Sequence, residues 1–448
     1  MALMISISGI RGIFGTDLTP ENLARFTAAY GTWANGGKIV VGRDSRVTGK
    51  ICENVVISAL QSVGCDVVSL GIVPTPTVAM GVIRHKASGG IIISASHNPA
   101  EWNALKLLNE KSEFLDAEHG TKVIDIAENG PIEYKSYRKL GKVTEDHDIL
   151  DYHIEKILDL PYIDQKTIAK HNFKVSVDAV NGAGSIAVPR LLEKLGVYKL
   201  EKLNCTPDGL FPHNPEPIPE HLHDIQRVVR DNDSDIGFVV DPDADRLALV
   251  MDGGELFGEE YTLAIASNLM MDYKPGPCAT NLSSSSITRY IAEKYDQKCY
   301  QSAVGEINVV KEMQRVNAVI GGEGNGGVIN PDLHYGRDSL VGIAMILQFL
   351  AEKGIRLSEY RNSLPDYHLS KNKIEIADLD PDKILERIAD QYKDYDPVTI
   401  DGVKIMMDNG WVHLRKSNTE PIIRIYSESN SPGNADELAQ QIMRDITN

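Results

Sequence analysis

The stretch GGIIISASHNP, residues 89–99, is an apolar run followed at once by a polar loop. This pattern is typical of a buried strand that ends at a turn. A serine hydroxyl is a poor nucleophile until a neighbouring base or cation assists it, and His97 stands directly beside Ser96. Asn98 tolerates unusual backbone angles and Pro99 stiffens the exit, so the loop can hold Ser96 in one orientation. A plain polar turn is the alternative interpretation, and only the rest of the chain separates the two.

The same succession of strand, polar loop and helix returns along the chain. It is found at residues 38–63, 173–195 and 277–295. Strands that alternate with helices are typical of α/β layers, and the wide spacing of the units favours related or duplicated modules. Beyond residue 366 the pattern changes to one helix, three strands and a final helix. We therefore expect α/β units, followed beyond residue 366 by a unit with a different pattern.

The composition excludes several classes of partner. The chain has 448 residues, with 46 Lys and Arg against 63 Asp and Glu and a formal net charge of −17. Such a surface disfavours nucleic acid and anionic membranes, and it restricts phosphate binding to places where basic residues gather. The five scattered cysteines form no C-x-x-C pair, which indicates reduced thiols. Since no secretion signal and no apolar run of membrane length is found, we expect a soluble, cytoplasmic protein.

A second polar loop, DPDADR at residues 241–246, lies between two apolar β-runs. Three carboxylates at alternate positions repel one another unless a cation lies among them, and a hard divalent ion such as Mg²⁺ prefers oxygen ligands. An EF-hand also begins D-x-D-x-D, but it requires glycine at its sixth position, where Arg246 stands, and helices on both sides. A solvated acidic turn would not be wedged between apolar strands. We expect Asp241, Asp243 and Asp245 to bind a metal ion, and residues 241–246 are called the metal loop.

A glycine-rich loop, GGEGNGG at residues 321–327, follows another apolar strand. Five glycines in seven residues allow the backbone to approach a ligand closely. Glu323 and Asn325 could then form hydrogen bonds with sugar hydroxyls. A P-loop is excluded because no Lys-Ser/Thr follows, whereas a flexible linker remains the alternative.

The fourth loop, RKSNTEP at residues 415–421, gathers cations, hydroxyls and an amide between two strands, with Arg424 close behind. This is how an acidic protein builds an anion pocket, because the arginine fork binds phosphate through two hydrogen bonds. An exposed hairpin tip with incidental charge is the alternative.

In their order and spacing the four loops resemble those of the phosphohexomutase superfamily, which contains phosphoglucomutases, phosphomannomutases, phosphoglucosamine mutases and acetylglucosamine-phosphate mutases. The resemblance covers the whole chain. It implies an α/β protein of four domains around a central cleft, with three related α/β domains of mixed sheets and a smaller α+β C-terminal domain. We place these domains, in order, at residues 1–148 (phosphoserine), 149–253 (metal), 254–365 (sugar recognition) and 366–448 (phosphate binding).

The resemblance also implies roles for single residues. Ser96 is similar to the phosphorylated serine, and a phosphate oxygen on Ser96 would join Asp241, Asp243 and Asp245 as a ligand of Mg²⁺. Lys106 is similar to the general acid/base. Arg11 matches an arginine near the phosphoserine, while His97 and Arg246 match residues that assist proton transfer and charge balance. The implied substrate-binding residues are Glu306, Glu323, Asn325, Arg415, Ser417, Asn418, Thr419 and Arg424.

The implied reaction is a two-step exchange. Phosphoserine 96 gives its phosphoryl group to a hexose monophosphate, the bound 1,6-bisphosphate turns end for end, and its other phosphate returns to Ser96. The implied cofactors are Mg²⁺ and glucose 1,6-bisphosphate, or an equivalent, as activating phosphoryl donor. The implied partner is a small hexose phosphate, and we expect a monomer or homodimer.

Departures from the family pattern bear on the substrate. Asn325 and Gly327 replace a common serine and histidine, and Pro242 and Ala244 replace glycines of the metal loop, which should alter stiffness more than ligation. Glu306 stands where many mannose/glucose enzymes carry histidine. Its carboxylate could pair with a substrate ammonium, although a solvated loop charge is the alternative.

We therefore expect conversion of glucosamine 6-phosphate to glucosamine 1-phosphate. Phosphomannomutase/phosphoglucomutase activity is the alternative within the family. A metal-dependent sugar phosphatase and a catalytically silent sugar-phosphate binder are the alternatives outside it.

Overall fold

The structure is a computed structural model that describes residues 3–6, 9–376, 380–417 and 422–447. Its packing forms two units, one of Met1–Leu269 with Asn325–Ser358 and the other of Met270–Gly324 with Glu359–Asn448. Among the described residues, no helix has both the length and the apolar character needed to span a membrane.

The first unit begins with a seven-stranded mixed sheet. Its elements are β1 (Met4–Ser6), β2 (Gly9–Ile13), α1 (Pro20–Trp33), β3 (Ile39–Arg43), α2 (Gly49–Ser62), β4 (Val67–Ile72), α3 (Thr75–His85), β5 (Gly89–Ile93), β6 (Trp102–Leu108), α4 (Ala117–Glu128) and β7 (Val143–Glu145). The strand order is β1-β2-β6-β5-β3-β4-β7. β3 runs parallel to β4 and β5, whereas β6 runs antiparallel to β5 and β2.

Alternate side chains of the central strands serve two cores. Ile39 and Ile91 pack with the core under α1 and α2, while Val40 and Ile92 pack with the core under α3. Runs of β-branched residues suit a sheet buried on both faces. The polar loops that leave the carboxyl ends of β3 and β5 therefore emerge side by side, because the two strands are parallel neighbours.

A second sheet belongs to the same unit. Its elements are α5 (Ile149–Leu158), α6 (Gln165–His171), β8 (Lys174–Asp178), α7 (Gly184–Lys194), β9 (Lys199–Leu203), α8 (His223–Asp231), β10 (Ile236–Val240) and β11 (Leu247–Met251). The order is β11-β10-β8-β9, parallel except for the antiparallel pair of β10 and β11. The metal loop is the connection between these last two strands.

The third region is shared by the two units. Its elements are α9 (Glu259–Tyr273), β12 (Cys278–Asn281), α10 (Ile287–Glu293), β13 (Cys299–Ser302), α11 (Glu306–Val316), β14 (Ile320–Glu323), β15 (Gly327–Ile329), α12 (Ser339–Lys353) and α13 (Leu357–Asn362). In the second unit β12 pairs in parallel with β13 and β14. In the first unit the apolar α12 packs against α5, α6 and α7.

The C-terminal region is an antiparallel sheet with two helices. Its elements are β16 (His368–Glu375), α14 (Pro381–Gln391), β17 (Val403–Met407), β18 (Gly410–Lys416), β19 (Ile422–Ser429) and α15 (Pro432–Thr447), with the strand order β16-β19-β18-β17. Apolar residues of the sheet and of both helices form one core. The predicted α/β class with a smaller α+β C-terminal domain is confirmed.

Candidate active site

The serine loop, residues 94–99, follows β5 and is held in an unusual conformation. Ser96 has a φ of +49°, in the left-handed region that costs a non-glycine residue about 1–2 kcal/mol. Its backbone N donates to Ser94 Oγ (2.9 Å), and Ser94 Oγ donates to Asp44 Oδ2 (2.7 Å). Ser96 is 3% exposed. The surrounding hydrogen bonds, rather than the local sequence preference, fix this backbone.

Arg46 is the main support of the serine loop, and no motif in the sequence predicts this role. The side chain is buried, and its Nε donates to Asp44 Oδ2 at 3.0 Å. Its two terminal nitrogens donate to four backbone carbonyls, those of Ser96 (2.6 Å), Asn98 (2.7 Å), Pro99 (2.6 Å) and Trp102 (2.9 Å). The available signal was topological: the loop after β3 must lie beside the loop after β5 if the two strands are parallel neighbours.

The hydroxyl of Ser96 lies against the metal loop. Ser96 Oγ donates to Asp241 Oδ2 at 2.6 Å, although the two residues are 145 positions apart. His97 Nδ1 lies 3.3 Å from the same hydroxyl. The structure thus brings together the two loops that carry the strongest motifs of the sequence.

The three carboxylates of the metal loop are all buried and converge. One oxygen from each of Asp241, Asp243 and Asp245 lies within 4.8 Å of the others. Asp241 Oδ1 accepts from the backbone N of Asp245 and of Arg246, both at 3.1 Å. Within the part of the chain that the structure describes, Asp243 Oδ1 and Asp245 Oδ1 are buried without a hydrogen-bond partner. Their burial excludes the solvated acidic turn.

The electrostatics of this triad favour a cation beside it. Burial, with the charges of Asp245 and Asp243, raises the pKa of Asp241 well above its usual value. Burial would also raise the pKa of Asp243, but Lys106 and the hydroxyl of Thr75 outweigh it and lower that pKa. A divalent cation would favour the charged form of all three carboxylates.

The residues present therefore fit a hard divalent cation. One oxygen of each aspartate lies within 4.8 Å of the others, and Ser96 Oγ is hydrogen-bonded to Asp241 Oδ2. Asp243 and Asp245 each keep one buried oxygen that has no hydrogen-bond partner among the described residues. All four candidate ligand atoms are oxygens, which is the donor set that Mg²⁺ prefers.

Lys106 is the basic group in direct contact with the triad. Its Nζ lies 2.6 Å from Asp243 Oδ2 and 3.6 Å from Asp245 Oδ2. Burial alone would lower the pKa of Lys106, but these two carboxylates outweigh it and raise that pKa. Lys106 is therefore an ammonium at neutral pH. Arg11, on β2, donates to Asn98 Oδ1 at 2.8 Å and so borders the serine loop.

His97 is a neutral imidazole in cationic surroundings. Burial, followed by the charges of Arg246, Arg11, Arg337 and Lys106, lowers its pKa to about 2. Its Nε2 lies 3.9 Å from the carboxylate of Glu216, which also lies 3.8 Å from Arg246. Glu216 was not predicted, because the loop after β9 carries no motif.

Arg337 is a second cation that the sequence did not predict. It comes from the segment between β15 and α12, and its Nη2 donates to Asp245 Oδ2 at 2.7 Å. The two residues are 92 positions apart, and no local pattern points to this contact.

The candidate sugar-contacting residues lie on several elements. Glu323 ends β14, is buried, and accepts from Asn281 Nδ2 at 2.9 Å. Glu306 begins α11 directly after Gly305, whose φ is +113°. Asn325 belongs to the first unit. The glycine-rich loop is the turn between β14 and β15, and not a flexible linker.

The C-terminal candidates lie at one end of β18 and β19. Arg415 stands directly opposite Arg424, which stands opposite Lys373 of β16. Like charges in such register destabilise a sheet unless a counter-charge is near. Asp401 Oδ2 supplies part of it, 3.0 Å from Arg415 Nε. Ser417 follows β18, whereas Asn418 and Thr419 lie outside the described residues.

Four successive segments match phosphoglucomutase/phosphomannomutase domains: alpha/beta/alpha domain I at residues 4–132, domain II at 151–254, domain III at 258–367 and the C-terminal domain at 373–445.

Two relatives match almost end to end. A probable phosphoglucosamine mutase of Methanopyrus kandleri is 35% identical, with 99% of this chain and 97% of the relative covered. A phosphoglucomutase/phosphomannomutase of Thermococcus kodakarensis is 36% identical, with 98% and 97% covered.

Solved structures share the fold. A phosphoglucomutase/phosphomannomutase family protein of Burkholderia thailandensis superposes with a TM-score of 0.86 at 24% identity, covering 99% of this chain and 97% of its own. An Aspergillus fumigatus N-acetylphosphoglucosamine mutase, in complex with GlcNAc-6P and magnesium, reaches 0.60 at 16% identity and covers 100% and 96%. With all four domains matched and two relatives above 30% identity, this chain belongs to the phosphoglucomutase/phosphomannomutase family of phosphohexomutases, which are isomerases.

Proposed function

We propose that this phosphohexomutase carries its phosphoryl group on Ser96 and interconverts glucosamine 6-phosphate and glucosamine 1-phosphate. The observation that carries the proposal is the 2.6 Å hydrogen bond from Ser96 Oγ to Asp241, at the edge of three buried carboxylates. A metal-dependent sugar phosphatase gains no support from the matched domains.

In the first step a hydroxyl of the hexose monophosphate attacks the phosphorus of phosphoserine 96. A new P–O bond forms as the bond from phosphorus to Ser96 Oγ breaks, the hydroxyl loses a proton, and Oγ gains one. After the bisphosphate has turned, Ser96 Oγ attacks its other phosphate. A bond from Oγ to phosphorus forms as the bond from phosphorus to the sugar oxygen breaks, Oγ gives up that proton, and the sugar oxygen takes one up. Such transfers depend on positioning and on charge neutralisation.

Two side chains are candidates for the proton transfers. The Lys106 ammonium, whose pKa is raised, is the candidate acid. The neutral His97, 3.3 Å from Ser96 Oγ, is the candidate acceptor of the serine proton. Its low pKa reflects burial and then four nearby cations, and a phosphate dianion beside those cations would raise the pKa of His97.

Mg²⁺ bound to the triad would neutralise charge on the transferred phosphoryl group. Asp241, Asp243 and Asp245 would hold it together with Ser96 Oγ or a phosphate oxygen on it. The magnesium in the fungal mutase supports this cofactor. Glucose 1,6-bisphosphate is the proposed primer, and its role would be to phosphorylate Ser96.

Glucosamine is proposed because Glu306 could pair with an ammonium group, while the cationic row of Arg415, Arg424 and Lys373 would hold the phosphate that does not react. The two close relatives carry different substrate names, so the choice has to be made by kinetics. The monomeric or dimeric state and the cytoplasmic location stay predictions from the sequence.

The test is a kinetic comparison of the 6-phosphates of glucosamine, glucose and mannose, with and without glucose 1,6-bisphosphate. We expect the highest kcat/KM for glucosamine 6-phosphate, activation by the bisphosphate and no release of inorganic phosphate during turnover. A preference for the mannose or glucose phosphate would change the proposed substrate but leave the proposed mechanism unchanged. Stoichiometric release of phosphate without isomerisation would overturn the mutase proposal.

A further inference from the structure

The segment from Gly326 to Ser339 contacts the metal loop at three places. Gly326 O accepts from the backbone N of Leu247 at 3.0 Å. Arg337 Nη2 donates to Asp245 Oδ2 at 2.7 Å, and Ser339 Oγ donates to the carbonyl of Ala244 at 2.7 Å. Ala244 has a φ of +51°, so the last bond helps to hold a strained turn.

The side chain of Arg337 reaches Asp245 through a space that a glycine leaves open. A Cβ at Gly327 would lie 2.3 Å from Arg337 Cδ and 2.9 Å from Arg337 Cγ. Any other residue at position 327 would therefore displace the arginine. This gives the last residue of the glycine-rich loop a role other than sugar contact.

The backbone that presents Arg337 is firmly anchored. The N of the next residue, Asp338, donates to Val328 O at 2.8 Å, and Asp338 Oδ1 caps α12 by accepting from Leu340 N at 2.8 Å. Asp338 Oδ2 accepts from the buried His153 Nε2 at 2.9 Å. Arg337 is therefore held from a rigid base, as a residue that orients a ligand must be.

The contact with Arg337 also gives the two oxygens of Asp245 different surroundings. Oδ2 is held by Arg337 at 2.7 Å and lies 3.6 Å from Lys106, whereas Oδ1 is buried without a partner in the described chain. Asp243 is held in the same way: its Oδ2 accepts from Thr75 and Lys106, and its Oδ1 is buried without a partner among the described residues. The carboxylates of Asp243 and Asp245 thus each keep one oxygen that can bind a cation.

We propose that Arg337 is a positioning residue of the metal site, which fixes Asp245 so that Oδ1 faces the cation. The inference rests on the proposed binding of Mg²⁺ by the acidic triad. Partners of this kind around metal ligands change metal affinity by about 10–100-fold when they are removed.

A purely electrostatic role gives the opposite result. If Arg337 only balanced charge, its loss would leave the site more negative and would tighten the binding of a cation, while lysine would preserve the affinity. A positioning role requires the geometry of the guanidinium, so both replacements would weaken binding.

The experiment measures metal binding by the dephosphorylated, chelator-treated full chain, with Mn²⁺ followed by electron paramagnetic resonance and Mg²⁺ by calorimetry. Arg337→Lys and Arg337→Met are compared with the wild type. Arg190→Met is the matched control in the same unit, and Asp243→Asn is the variant that lacks a ligand of the proposed metal site. Circular dichroism establishes that each variant is folded. Gly327→Ala displaces Arg337 without removing it.

We expect the dissociation constant to rise about 10–100-fold in both Arg337 variants and to rise in Gly327→Ala, with no change in Arg190→Met. Unchanged or tighter binding in the Arg337 variants, with binding lost in Asp243→Asn, would overturn the inference and leave the proposed function intact. A wild-type protein that binds neither ion would overturn both the inference and the proposed cofactor.

Discussion

Arg46 shows how strongly one buried residue can determine the site. Its guanidinium satisfies four carbonyls of the segment that carries Ser96 and also neutralises Asp44. Ser96 holds a left-handed backbone only because its surroundings over-determine it. The hydroxyl of Ser96 is therefore oriented by a side chain that does not contact it.

Replacement of Arg46 by methionine should lower the free energy of unfolding by about 3–5 kcal/mol, because it leaves a buried carboxylate and several carbonyls without partners. Urea denaturation measures the change. Arg46→Lys keeps the charge but not the fork, and we expect it to recover only part of the loss. Stabilities of both variants within about 0.5 kcal/mol of the wild type would show that the loop does not need this support.

Replacement of Glu306 by glutamine should lower kcat/KM for glucosamine 6-phosphate but not for glucose 6-phosphate. A charge-assisted hydrogen bond to an ammonium is worth about 1.5–3 kcal/mol, so kcat/KM for glucosamine 6-phosphate should fall about 10–100-fold while that for glucose 6-phosphate changes little. Steady-state kinetics on both sugars measures the difference. Glu312→Gln, on the same helix, is the control. An equal loss for both sugars would assign Glu306 a structural role.

The site elements share one feature: polar loops leave the ends of apolar strands. The strands predicted before the serine loop and around the metal loop are confirmed as β5, β10 and β11, because runs of apolar β-formers bounded by polar turns are unambiguous. β16 was missed because its sequence, HLSKNKIE, is largely polar and half-exposed. An edge strand of this kind has no hydrophobic signal.

The loop after β9 offers a test of electrostatics at the scale of an element. Asp178, at the end of β8, lies 3.1 Å from His213 Nε2 and thereby fixes the loop that carries Glu216. Burial would lower the pKa of His213, but the hydrogen bond and charge of Asp178 outweigh it and raise that pKa. A raised histidine pKa adds stability below the unfolded value of about 6.5, and this stability is lost as the pH rises through the folded value.

We therefore expect His213→Gln to lose more stability relative to the wild type at about pH 5.5 than at about pH 8.5. Urea denaturation at both pH values measures the two differences. His147→Gln serves as the control, since the side chain of His147 is 81% exposed. A difference that grows with pH would contradict the assigned role of Asp178.

At the scale of the whole molecule, the sequence could predict much of the architecture but less of the site. The four-domain family and the class of fold followed from four loops in order, and the matched domains support them. The contacts of Arg46 and Arg337 could not be predicted in this way, because they join loops that are distant in sequence and have no repeated spacing. The net charge of −17 also gives no indication of such local groups of cations, because it sums over the whole chain.

The buried triad should make the stability of the molecule depend on metal. At a Mg²⁺ concentration about 100 times its dissociation constant, binding to the folded state should add about 2.7 kcal/mol to the free energy of unfolding. Denaturation with Mg²⁺ and with chelator measures this gain. Asp243→Asn should show none, and an equal gain in that variant would place the ion elsewhere.

The most direct test of the central claim is a peptide map of the protein by mass spectrometry after incubation with glucose 1,6-bisphosphate. The account predicts one phosphoryl group on the peptide that contains residue 96, and its loss on addition of hexose monophosphate. The Ser96→Ala variant should have neither this phosphoryl group nor mutase activity. An active enzyme that never carries phosphate at Ser96, or a Ser96→Ala protein with full turnover, would contradict it.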